Sequence, residues 1–276
     1  MRSFEGRVAL VTGASRGVGK GIARALGEQG AIVYVTGRTS GAGDRTIEAT
    51  ARAVDEAGGE GRAIRCDHGD DAQIEAVFAQ IRDEVGHLDA LINNVYKIPD
   101  EPAWAGGFWD HPIAIWDDQV GIGLRAHYVA SWHAAPLLFA SKEFASGCAA
   151  AILNVSSPGG QRYHFSASYG AGKAGLDRLT ADMAHELRDR GVAAVALYPG
   201  IVSTEFIEDS MGKSGMDLSQ AQTPLFVGRA AVALLTAADL MARSGKIHWV
   251  EDLADEFDLL DEHGRRPPGY HLRLRD

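Results

Sequence analysis

Cysteine is scarce in this chain. Only Cys66 and Cys148 occur in 276 residues, which fits a reducing compartment and makes no metal-ligand spacing. Long apolar runs are missing too: nothing approaches the ~20 residues that span a bilayer. The early stretch Arg7-Val-Ala-Leu-Val-Thr12 is too short for a signal-peptide core. A cytoplasmic protein without membrane attachment is therefore expected. Positive charge is in deficit, with 27 Lys and Arg against 37 Asp and Glu and a net charge of −10. That excludes nonspecific attraction to nucleic acid or anionic lipid, and any phosphate-bearing ligand needs a local cluster of arginine or lysine. His68, His133, His164 and His185 form no paired spacing with a third ligand, so no metal is expected. Repeats, low-complexity tracts and linkers are absent. What remains is ordinary globular composition, 46% hydrophobic and 23% charged, at a length that one larger α/β domain accommodates.

Short apolar, β-rich runs alternate with helical patterns throughout. Strands are expected at Arg7–Thr12, Ala31–Thr36, Arg62–Cys66, Ala90–Asn93, Ala149–Val155, Val192–Tyr198 and Ile247–Val250. Helices are expected near Gly17–Gln29, Arg45–Ala57, Asp71–Val85, Trp116–Lys142, Ser166–Arg190 and Pro224–Leu240. Strands this apolar are buried on both faces, and strand–helix alternation calls for a parallel sheet covered by helices. The fold class is α/β: a single Rossmann-type doubly wound domain of about seven strands, with ligands at the carboxyl ends of the strands. Two connections break the rhythm, Lys97–Ile115 with Trp104, Phe108 and Trp109, and Glu205–Thr223 with Gly212, Gly215 and Met216. Connections this long are often lids or binding loops.

The first strand runs into Thr12-Gly-Ala-Ser-Arg-Gly-Val-Gly19, and a helical pattern follows at once. Gly13, Gly17 and Gly19 allow a tight turn. With Ser15, Arg16 and Val18 they bring backbone N–H groups and a helix N-terminus to a pyrophosphate. The second strand ends Val33-Tyr-Val-Thr-Gly-Arg38. A carboxylate at that tip would bind the adenosine ribose of NAD and repel a 2′-phosphate. None is there; Arg38 offers a forked cation instead, and Arg16 faces the same position. NADP(H) is the expected dinucleotide.

Tyr169-Gly-Ala-Gly-Lys173 sets a phenol and an ammonium one helical turn apart on one face. A free tyrosine, with pKa near ~10, exchanges protons poorly at neutral pH, and a nearby cation is expected to ease its ionisation. Lys173 can also hold ribose hydroxyls. Upstream, Ala151-Ile-Leu-Asn-Val-Ser-Ser157 is an apolar strand ending in two hydroxyls. One of Ser156 and Ser157 can donate to a substrate oxygen while the other caps the turn.

These blocks, in this order, resemble the classical short-chain dehydrogenase/reductase family along essentially the whole chain. The match includes the glycine turn, Asp67 after the third strand, Asn93-Asn94 after the fourth, the two serines, Tyr169-x-x-x-Lys173 and Pro199-Gly-Ile-Val-Ser-Thr204. The resemblance implies hydride transfer between NADP(H) and a carbonyl or alcohol. It makes Tyr169 the acid–base, Lys173 its partner and Ser157 the carbonyl polariser, with Ser156 still open. It also sets Asp67 and His68 near adenine and Asn94 near the adenosine ribose. Pro199, Gly200, Val202 and Thr204 are cofactor-binding by the same resemblance, with Ile201 to Thr204 near the nicotinamide carboxamide.

Three features depart from the family pattern. Val95-Tyr96 replaces the usual Ala-Gly after Asn94. Gly123, in Trp116-Asp-Asp-Gln-Val-Gly-Ile-Gly-Leu-Arg125, replaces an asparagine that commonly holds a backbone kink and a relay water. The Lys97–Ile115 connection is longer than usual. Together with Asp252-Leu-Ala and Asp261-Glu-His-Gly-Arg265, they resemble the subgroup typified by dehydrogenase/reductase member one of the family, associated with NADPH-dependent reduction of steroid and xenobiotic carbonyls. Trp104, Phe108, Trp109, Tyr96 and Met216 suggest a roomy apolar pocket, and Tyr163 and His164 are further candidates for substrate contact. The apolar faces of the two longest helices, with Val129, Trp132, Leu137 and Phe139, suggest a homodimer or homotetramer. The alternatives are a non-catalytic NADP(H)-binding sensor or scaffold, for which Gly123 speaks, and an epimerase or dehydratase on the same fold.

Overall fold

The computed structural model describes residues 3–99, 106–142, 148–210 and 217–267. Trp104, Gly212, Gly215 and Met216 lie outside them. Among the described residues, seven strands form one parallel sheet in the order β3-β2-β1-β4-β5-β6-β7. They are β1 (Val8–Val11), β2 (Ile32–Gly37), β3 (Glu60–Arg65), β4 (Ala90–Asn93), β5 (Ala150–Val155), β6 (Val192–Tyr198) and β7 (Ile247–Trp249). β1, β4, β5 and β6 are buried at every position, as central strands covered on both sides must be. β3, on an edge, alternates exposed and half-buried residues instead.

One face of the sheet is covered by α1 (Gly17–Glu28), α2 (Ile47–Ala57) and α8 (Pro224–Leu235), whose Ile22, Leu26, Val54, Phe226 and Leu234 pack on Val11, Val33 and Leu153. The other face carries α3 (Asp71–Glu84), α5 (Ala126–Phe139) and α6 (Ala167–Leu187), with Ile74, Phe78, Ala130, Leu138 and Met183 against Leu10, Leu91 and Ile152. Helix starts follow local chemistry: the side chains of Thr46, Asp70, Ser166 and Thr223 accept from N–H groups of the first turns of α2, α3, α6 and α8. α1 and α8 meet almost backbone to backbone. A Cβ on Gly21 would lie 2.0 Å from the Pro224 carbonyl oxygen, and one on Gly228 would lie 2.3 Å from that of Gly21.

The expected helix Trp116–Lys142 is not one uniform element. It begins as α4 (Ala114–Trp116), passes through a π-helical stretch (Asp117–Arg125) and continues as α5. Gly121 and Gly123 weaken the preference for regular α geometry inside this stretch. α6 also packs closely on it: a Cβ on Gly172 would stand 3.1 Å from the Gln119 carbonyl oxygen. The helix expected to reach Leu240 ends at Leu235, and α9 (Leu240–Arg243) follows separately. Within the presumed loop Glu205–Thr223, residues Glu205–Ser210 form α7, and Val250–Glu256 form α10 after β7. Elements of two turns or fewer leave too short a period to register in the sequence.

Candidate active site

Strand order reverses between β1 and β4, where doubly wound sheets take ligands at their carboxyl ends. A cleft of about 400 Å3 opens there. Its floor is the glycine turn. Gly13 has φ +65°, and a Cβ there would come 2.6 Å from the Val95 Cα, so the backbone runs where a side chain cannot fit. Asn94 pins this turn: its side-chain amide donates to the carbonyls of Thr12 (2.9 Å) and Gly13 (3.0 Å). Ser15, Arg16, Gly17, Val18 and Asn94 all line the cleft. Gly19 stands behind the turn, where a Cβ would lie 2.4 Å from Asn94 Nδ2. Arg16, at the start of α1, makes no side-chain capping bond. The Gly17 N–H donates to Glu205 Oε2 at 2.9 Å.

The far end of the cleft lies past β2, where Gly37, Arg38 and Thr39 meet Cys66, Asp67 and His68. Arg16 and Arg38 are exposed, and neither forms an ion pair with another described residue. His68 is buried with Nε2 2.9 Å from Thr36 Oγ1, and burial pulls its pKa down to about 4, so the ring is neutral. Of the cofactor-binding residues expected after β6, Thr204 lines the cleft. Pro199, Gly200 and Val202 stand behind it in a strand-like loop, where the Gly200 N–H donates to Gln222 Oε1 (2.9 Å) and Val202 bridges to Gln222.

Tyr96 leads from the cleft to the paired phenol and ammonium. Its ring meets that of Tyr169 edge-on, with centroids 6.0 Å apart and planes at 88°. On the other side Phe165 contacts Tyr169 at 5.2 Å and 83°. The 3-10 turn Pro158–Gly160 presses on the same ring, since a Cβ on Gly159 would fall 2.4 Å from Tyr169 Cε1. The phenol is thus clamped on three sides. Of the two serines at the β5 tip, Ser157 is the one hydrogen-bonded to Tyr169; its Oγ also accepts from the Gly159 N–H. Ser156 points away and is buried with its Oγ unpartnered. Lys173 is buried, donates to the Val155 carbonyl at 3.0 Å, and stands 5.4 Å from the centre of the Tyr96 ring.

The electrostatics correct one expectation. Burial pushes the Tyr169 phenol above its ordinary value; Ser157 pulls it down and Asp177 adds to the rise. Easier ionisation beside Lys173 was expected. The ammonium, however, is turned to the Val155 carbonyl and the Tyr96 ring, and burial pulls its own pKa down to about 8. The Tyr169 phenol therefore keeps its proton at neutral pH.

Gly123 is explained by Tyr96: a Cβ there would sit 3.2 Å from Tyr96 Cδ2, so the large residue after Asn94 fills the space that glycine leaves. Gln119, in the π-helical stretch, is hydrogen-bonded to Tyr96, and its Oε1 accepts from the hydroxyls of Ser166 and Ser168. Among the sequence candidates for substrate contact, Tyr96 lines the cleft. Tyr163 is 75% exposed and donates to the Phe165 carbonyl, while His164 Nε2 accepts from Arg162. Phe108 and Trp109 are exposed and pack on each other rather than on the cleft. Phe165, which carries the left-handed φ of +59°, was not foreseen, nor were Gln119, Glu205 and Asp177. The available signal for Phe165 was its place directly before the helix-capping Ser166.

Among the described residues no group of His, Cys, Asp and Glu could hold a metal ion, and no helix is long and apolar enough to cross a membrane. The reversal cleft, its glycine cradle and the clamped phenol beside a buried ammonium define a dinucleotide-dependent oxidoreductase: this chain belongs to the short chain dehydrogenase family, whose pattern matches residues 7–213. Over 281 aligned residues it is 39% identical to dehydrogenase/reductase SDR family member 1 of Mus musculus, spanning 97% of this chain and 87% of that protein. The human protein of the same name is 37% identical over the same shares. A doubly substituted short-chain dehydrogenase/reductase of Serratia marcescens shares the fold at a TM-score of 0.74 and 29% identity, covering 90% of this chain and 97% of that one. A 3-oxoacyl-[acyl-carrier protein] reductase of Brucella melitensis, solved in complex with NAD, matches in fold at a TM-score of 0.77 and 23% identity, over 90% and 96% of the two chains. The protein is a hydride-transfer oxidoreductase of a family that uses nicotinamide cofactors and acts on small-molecule substrates.

Proposed function

We propose that this enzyme reduces an apolar ketone or aldehyde with NADPH, Tyr169 giving its proton to a carbonyl oxygen held by Ser157. The observation that carries this reading is the clamped, protonated Tyr169 with Ser157 on its hydroxyl and Lys173 one turn away. When bound, the reduced nicotinamide supplies the hydride. The glycine turn fits such a group, because its backbone N–H groups stand where no Cβ could. Gly13, Ser15, Gly17, Val18 and Gly19 would hold the pyrophosphate, Asp67 and His68 the adenine, and Asn94 the adenosine ribose. Pro199, Gly200, Val202 and Thr204 would lie against the carboxamide, and Lys173 would bind the nicotinamide ribose and stabilise the phenolate left on Tyr169.

The preference for NADPH rests on Arg16 and Arg38, unpaired at the cleft, with no carboxylate at the end of β2. Arg38→Ala is expected to weaken NADPH binding by about 10- to 100-fold, the loss of a charge-assisted contact, and to leave NADH binding unchanged. Fluorescence titration of both nucleotides measures this; equal losses for the two would refute the assignment. The apolar substrate class is supported by Tyr96, Ile98, Ile122 and Phe206 along the cleft and by the Phe165 ring on Tyr169. Free, buried Cys66 and Cys148 fit a cytoplasmic setting.

A groove of about 850 Å3 on the α3, α5 and α6 face is lined by Tyr128, Trp132, Phe139, Leu179 and Met183, and Trp132 is 63% exposed. Such a face supports a homodimer or homotetramer paired through these helices. Trp132→Glu should shift the protein to monomers in sedimentation velocity; an unchanged distribution would place the contact elsewhere.

A further inference from the structure

Three chemistry-bearing residues recur at one-turn spacing along α6: Tyr169, Lys173 and Asp177. The first two are used in the reaction proposed above, and Asp177 is not. It lies on the same stripe as Lys173, yet it is not an ordinary surface carboxylate. The backbone of Gly160 closes over it so tightly that a Cβ there would stand 2.4 Å from Asp177 Oδ2 and 3.0 Å from the Lys173 carbonyl carbon. Tyr198, fully buried at the end of β6, donates its hydroxyl to Oδ2. Oδ1 is shielded from solvent and has no hydrogen-bond partner, and the same is true of Ser156 Oγ at the end of β5.

The ammonium of Lys173 needs such a neighbour. It is 7% exposed, and its bond to the Val155 carbonyl and its place beside the Tyr96 ring supply partial charge only. A buried cation held that way loses its proton readily. The titratable groups that interact with it are Tyr96 after β4, His127 on α5 and Asp177 one turn along α6. His127 is buried and neutral, with Nε2 on the Val95 carbonyl and its pKa pulled down by burial to about 3. Asp177 is the group among them whose charge acts to keep Lys173 protonated.

We propose that Asp177 is a positioning residue, the counter-charge one turn along α6 that keeps Lys173 an ammonium, with the Tyr198 hydroxyl holding the carboxylate. Burial pushes the Asp177 carboxyl upward, while the Tyr198 hydroxyl and Lys173 pull it back toward the anion. The two halves of this arrangement support each other. The carboxylate favours the ammonium, and the ammonium with the Tyr198 hydroxyl favours the carboxylate. The inference depends on the proposed reaction only for its effect on turnover.

The test therefore has two separate readouts. Asp177→Asn keeps the shape and an acceptor for Tyr198 and removes the charge. In cofactor-free protein carrying 13C at the lysine ε carbon, the Lys173 resonance is assigned by its disappearance in Lys173→Arg. It should titrate about one pH unit lower in Asp177→Asn than in the wild type. The alkaline limb of kcat should move the same way, giving about a threefold loss at pH 7.5 that is recovered below pH 6.5. Tyr198→Phe, which removes the donor holding the carboxylate, should shift both in the same direction by less, and it keeps the test open if Asp177→Asn folds poorly. An Lys173 titration identical in all three proteins overturns the proposal, as does a loss of kcat that is uniform with pH and accompanied only by a lower Tm. A shifted resonance with an unmoved rate profile upholds the counter-charge and instead refutes the part given to Lys173 in turnover.

Discussion

Tyr169→Phe is expected to lower kcat for carbonyl reduction by about 10²- to 10⁴-fold, the range a positioned general acid contributes, and to leave NADPH affinity almost unchanged. The substitution removes one oxygen and nothing else from a tightly held ring. Tyr96 and Phe165 still meet that ring edge-on at 6.0 and 5.2 Å, and the Gly159 backbone still closes the third side. Ser157 loses a partner, but its Oγ keeps the Gly159 N–H. The loss should therefore lie in the chemical step. Stereospecific NADPH oxidation over a panel of apolar ketones and aldehydes measures the rate, and nucleotide fluorescence measures binding. A variant as active as the wild type would end the assignment. The alkaline fall of the wild-type rate should follow Lys173, whose pKa is pulled down to about 8, and not Tyr169, because burial raises the phenol above its ordinary value.

Gly13→Ala should cost about 2–4 kcal/mol of stability, the sum of a left-handed backbone penalty and overpacking. The added carbon would meet the Val95 Cα at 2.6 Å, and that atom is backbone, which cannot rotate aside. Asn94 grips the Gly13 carbonyl, so any shift also disturbs the end of β4. Nucleotide binding should fall along with Tm. Gly41→Ala is the matched control: its φ is +101° with nothing within 4 Å of the added carbon, so it carries the backbone cost alone, about 1 kcal/mol. Thermal unfolding of the two variants, with NADPH titration of each, separates crowding from conformation. Equal effects at both positions would contradict the close approach at Gly13.

The doubly wound sheet was legible because its central strands are buried along their whole length and leave continuous apolar runs, as Ala90–Asn93 and Val192–Tyr198 do. The glycine turn and the Tyr169–Lys173 spacing were legible because their geometry is local, within a turn or one helical repeat. Three-dimensional compensation was not. Nothing in the sequence pairs Tyr96 with Gly123, 27 positions apart by subtraction, yet one ring occupies the room the other residue vacates. Phe165 was hidden because a left-handed backbone, not a periodic pattern, turns its ring onto Tyr169. The direction of the Tyr169 shift was missed for a related reason: spacing alone told that a cation was near, but burial depth and the carbonyl that Lys173 faces are tertiary facts. Phe108 and Trp109 erred the other way, aromatic in composition and solvent-facing in the fold.

The seam between α1 and α8 bears on how a nucleotide is received. Pro224 and Gly228 leave α1 no clearance on that side, and Asn94 fixes the loop that feeds it. The amides at the head of α1 are thus set in direction before any anion arrives, and their ordering entropy is already met when the chain folds. Association at that end meets a preset backbone, and the adjustment falls on side chains, first of all on Glu205, whose carboxylate holds the Gly17 N–H and has to give way to the incoming anion.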